Sequence, residues 1–214
     1  MGLKERALDT NIQDFGARVE NVWRDLRLTT RVLVERAWQS TSNPAPANVA
    51  RTVPYDARAD SELSQLVAAL DEQAGEIGDA GAERSQKARR MADTCASLLM
   101  QQTQSAEIFT QLILRAHAHR DYARIDELAN ALAKRLAPSE VCELARSNNV
   151  IVRALAQEVL TQTPPLTLAA LSRDPVDASV ARMALVRQAQ EYGSENARQV
   201  LSELDLEEFD FGDL

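Results

Sequence analysis

Apolar residues recur at three- and four-residue spacing along most of the chain, between a few well-separated breaks. That period marks helices with one buried stripe, whereas a half-buried strand needs strict alternation. No sustained alternating run occurs, and neither Asn-Gly nor Asp-Gly appears as a hairpin signal. Glycine and proline number only seven each, so little interrupts the helical pattern. The chain is therefore expected to be all-α and built of helical hairpins, with amphipathic N-terminal helices followed by a short α-α stack.

Composition narrows the class further. With 45% hydrophobic residues over 214 positions the chain has enough apolar surface for one or two cores. Two cysteines, Cys95 and Cys142, exclude a disulfide scaffold and are expected to be reduced and buried. The longest apolar runs, such as Leu98–Met100 and Leu112–Leu114, fall far short of the roughly 20 residues of a membrane span. The opening MGLKERALDT has no apolar signal region, and Arg6 stands where a myristoylation motif wants Ser or Thr. A cytoplasmic location is expected.

The organisation reads as five segments: 1–42, an amphipathic helical segment; 43–58, a Pro-containing linker; 59–104, a helical hairpin; 105–202, a helical stack; and 203–214, an acidic aromatic tail. The first helix is expected as one piece from about Asp14 to Gln39, with Phe15, Val19, Val22, Leu26, Leu33 and Ala37 on its stripe and Trp23 and Trp38 beside it. The hairpin uses Leu63, Leu66, Leu70 and then Met91, Cys95, Leu98. Gly75, Gly78 and Gly81 between its arms lack the strand and Gly-Lys-Ser/Thr of a phosphate loop, so they read as a turn. Beyond Ser105 the helices shorten, with stops at Asp121, Ala137-Pro138-Ser139, Asn148-Asn149, Pro164-Pro165 and Asp174-Pro175. The expected core includes Leu66, Leu70, Leu98, Leu112, Leu128, Leu144, Leu155, Leu160, Leu171 and Leu185.

A weak repeat runs through this part. Arg124, Arg153 and Arg182 follow one another at intervals of 29 residues, each opening a helix after a shorter one. Such hairpins hide their apolar faces by stacking on their neighbours. The segment ALSRDPVDASVARMALVRQA resembles a HEAT-like α-helical repeat, with Asp174-Pro175 at the turn and Val180, Ala181 and Arg182 opening the second helix. The resemblance covers about residues 112–190. It implies a ladder between the turn acid and the following arginine of adjacent repeats, which Asp174 and Arg182 match. Arg153 follows Asn148-Asn149 instead of an acid, and Asp121 sits too close to Arg124.

The residues for common chemistries do not assemble. His117 and His119 are the only histidines, and positions two apart point to opposite sides of a helix. With Cys95 and Cys142 scattered, no zinc spacing exists. The acid pairs Asp71-Glu72, Asp126-Glu127 and Glu207-Glu208 diverge on a helix and read as solvated. No catalytic residue, metal site or cofactor is expected, and the chain is read as a non-enzyme.

Charge is concentrated at one end. The formal net charge is −8, and residues 195–214 carry seven acids against Arg198 alone. A nearly neutral body does not favour nucleic acid, whose phosphates call for a basic face. Arg84, Lys87, Arg89 and Arg90 form the one basic cluster, flanked by Glu83 and Asp93. In the tail, LSELDLEEFDFGDL, Leu206, Phe209, Phe211 and Leu214 are threaded among acids including Asp210. Its composition resembles the acidic-aromatic tips by which some bacterial proteins recruit partners. The expectation is a helical protein–protein interaction module, an adaptor or assembly factor, docking a protein partner through Leu206, Phe209, Asp210, Phe211 and Leu214. The alternative is a nucleic-acid-associated helical repeat using arginine-rich helix faces.

Overall fold

A computed structural model describes residues 12–42, 55–76 and 81–210, with residues 41, 42 and 206–210 described as backbone only. Those residues hold a short 3-10 turn and eleven α-helices, and no strand is found among them. The protein is all-α. It divides into two compact units, residues 1–103 and 104–214.

The first unit begins with the turn Gln13–Phe15 and helices α1 (Ala17–Asp25), α2 (Leu28–Ser42), α3 (Ala57–Glu76) and α4 (Ala82–Gln102). The single N-terminal helix expected from the stripe is broken at Leu26, whose backbone is extended although its side chain stays buried. Two arginines account for the break. Arg31 donates to the carbonyls of Arg24 and Leu26, which α1 leaves without intrahelical partners. Arg27 is drawn off to the start of α3, where it binds Asp56 at 2.6 and 2.9 Å and Glu62 at 2.8 Å. The linker expected over 43–58 lies outside the described residues as far as 54, and α3 takes up its last two positions.

α3 and α4 form an antiparallel hairpin, because both ends of the pair are tied. Ser85 Oγ donates to the Ala74 carbonyl at 2.7 Å near the turn. Thr103 Oγ1 donates to the buried Asp60 at 3.0 Å at the other end, where Tyr55 also donates to Asp60. α1 packs on α3 and α2 on α4. Phe15, Val19, Trp23, Leu33, Leu63, Leu66, Leu70, Met91, Cys95 and Leu99 fill the space between them.

The second unit comprises α5 (Ala106–Ala118), α6 (Tyr122–Arg135), α7 (Pro138–Ala145), α8 (Val150–Leu160), α9 (Pro165–Leu171), α10 (Ala178–Gln190) and α11 (Glu195–Asp210). Its breaks are capped by side chains close in sequence. Asp121 accepts from Arg124 N–H at 3.0 Å, and Asn149 from Ile151 and Val152 N–H at 3.0 and 3.2 Å. At the Ala137-Pro138-Ser139 stop, Pro138 opens α7, Ser139 lies inside it and Glu140 reaches back to accept from Ala137 N–H at 2.8 Å. Helices pack in pairs, α5 with α6, α7 with α8 and α9 with α10, and neighbouring pairs touch. The unit is thus a stack of helix pairs, compatible with a helical repeat. Of the expected core leucines, Leu155 and Leu171 are only half-buried, and the other eight are buried. Among the described residues no helix is long and apolar enough to cross a membrane.

Candidate docking surface

The end of the stack is built from α10 and α11. The chain leaves α10 through Gly193, at φ +67°, a left-handed conformation that glycine adopts without steric cost. Ser194 then accepts from Ala197 N–H at 3.3 Å, and Arg198 ties α11 back to the Ala189 carbonyl at 3.2 Å. Ala197, Val200 and Leu204 are buried and Leu201 half-buried, a stripe at helical spacing on a helix that packs on α9 and α10. Asn196, Gln199, Ser202 and Glu203 are exposed on the remaining face. A polar outer face suits a helix that closes a stack.

α11 does not stop at the boundary between stack and tail expected at 202, but continues to Asp210. The sequence-predicted site residues Leu206, Phe209 and Asp210 therefore lie on helical backbone, whereas Phe211 and Leu214 lie outside the described residues.

The links between helix pairs are residues that motif reading passed over. Arg146, at the end of α7, donates to Asp177 at 2.5 Å and to the Val176 carbonyl at 3.2 Å, at the start of α10. Glu158, in the last turn of α8, meets Arg187, late in α10, at 3.2 Å and accepts from the Tyr192 hydroxyl at 2.7 Å. Matching starts and matching ends show that α8 and α10 run in the same direction. Gln188 is buried between them, its amide donating to the carbonyls of Thr161 and Thr163 at 2.9 and 2.7 Å. Glu158 and Arg187 are 29 residues apart, the interval of the three arginines, so equivalent positions of successive helices touch. The hydrogen bond to Glu158 raises the Tyr192 phenol above its ordinary range, and Arg187 is raised by hydrogen bonds to Glu191 and Glu158.

Two arginines of the repeat make contacts within their own hairpins. Arg153 donates to the Ser147 carbonyl at 2.7 Å in its own hairpin, and Arg124 pairs with Glu127 at 2.7 Å. Asp174 accepts from Val176 N–H at 2.8 Å. The inter-pair acid near that turn is Asp177 instead, three residues further on and less conspicuous in sequence because Asp174-Pro175 looks like the turn motif.

The basic cluster on α4 does not make one basic face. Arg89 and Arg90 share their side of the helix with Glu83, Gln86 and Asp93, while the register turns Arg84 about 170° away. Lys87 is occupied with Asp14 at 3.4 Å and lies over the Phe15 ring at 5.6 Å. His117 and His119 are both exposed. Among the described residues no group of three or more His, Cys, Asp or Glu is placed to hold a metal ion. Cys95 and Cys142 are buried and not joined in a disulfide, and burial pushes the Cys142 thiol up to about 11.

Comparison with protein-family models, with curated proteins and with solved structures finds no match to this chain.

Proposed function

We propose that the chain is a non-catalytic protein–protein interaction module, an adaptor or assembly factor, whose second unit is a HEAT-like stack and whose acidic, hydrophobic C-terminal segment docks a protein partner. One observation carries this reading: the course of α11. The helix uses Ala197, Val200 and Leu204 against its own stack, and its backbone then continues to Asp210. A segment that threads Leu and Phe among six acids and no base over residues 203–214 suits a groove with an apolar floor and a basic rim. Two buried thiols outside any disulfide suit a reducing compartment, in keeping with a cytoplasmic module.

The test is recovery of partner from cell extract by the full chain and by Phe209→Ala/Phe211→Ala. Loss of two aromatic anchors should lower recovery about tenfold or more, with an unchanged melting temperature. Unchanged recovery with a lowered melting temperature would make these residues a cap on the chain's own stack and end the docking reading.

A further inference from the structure

No further inference is drawn: the strongest candidate, the turn between α5 and α6 where His117, His119, Arg120 and Tyr122 are all exposed, balances its one arginine with Asp121, and nothing in the structure shows what covers it.

Discussion

Asp56 has two partners at the start of α3: it accepts from Arg27 in two hydrogen bonds and from Ala59 N–H at 3.0 Å. The Arg27 guanidinium holds its carboxyl well below the usual carboxylate range, and Arg27 is raised in return by Asp56 and Glu62. A folded-state pKa that is depressed contributes stability above the unfolded value, about 4, and loses it as pH falls through the folded one. Asp56 is exposed, so the effect is modest. At pH 6 Asp56→Asn should unfold at lower urea than the wild type, and the difference should shrink steadily as the solution is made strongly acid. A gap that stays constant with pH would mean that the charge of Asp56 contributes nothing. In the second unit, Leu160 is fully buried while Leu155 is half-buried. Leu160→Ala should cost about 2–5 kcal/mol, through lost burial and the cavity left behind. Leu155→Ala should cost clearly less, and equal shifts in the denaturation midpoints would contradict the packing described.

Glycine separates two kinds of helix boundary. Gly16 enters α1 at φ +96°, and a Cβ there would meet Gln73 Oε1 at 2.6 Å. Gly75 lies within α3, and a Cβ there would meet nothing within 4 Å. Gly16→Ala should therefore destabilise the first unit by roughly 1–3 kcal/mol, since φ +96° with ψ 165° is a conformation almost confined to glycine. Gly75→Ala should leave stability unchanged or raise it by up to about 1 kcal/mol, and opposite melting shifts are the expected result. Which boundaries are legible in sequence follows from where their partners sit. Asp121 and Asn149 cap helices that start one residue later, and Pro138 and Pro165 stand at helix starts, so local reading finds them. The break between α1 and α2 escaped it because Arg27 is held by Asp56 and Glu62, some 30 residues on, and apolar spacing runs through the break undisturbed. The length of α11 escaped it for another reason. Like charges argued against helix beyond Leu204, yet Leu and Glu are good helix formers and the backbone continues. The residue types of the docking segment were thus readable, but the helical backbone under residues 206–210 was not. The pairing of α8 with α10 needed the structure as well, because only contacts such as Glu158 with Arg187 turn a spacing of 29 into two adjacent helices.

At the scale of the whole molecule, each of the two compact units has its own set of buried side chains, the first around Leu66, Leu70 and Met91 and the second around Ile113, Leu128 and Leu132. α11 packs on both α9 and α10, and two truncations separate its two halves. Ending the chain at Gly193 removes the cover that Ala197, Val200 and Leu204 give α9 and α10. Burying a Val or a Leu side chain contributes about 1.5–3 kcal/mol each, and the apolar atoms of α9 and α10 beneath them are uncovered as well. The chain ending at Gly193 should therefore unfold at distinctly lower urea. Ending the chain at Asp205 keeps all three buried residues and removes four of the six acids of residues 203–214, leaving Glu203 and Asp205. Its urea midpoint should equal that of the full chain or exceed it slightly, and the loss should fall on partner binding alone. If the chain ending at Asp205 instead melts as low as the one ending at Gly193, residues 206–214 are part of the stack's own closure, and the division of α11 into a packing half and a docking half is wrong.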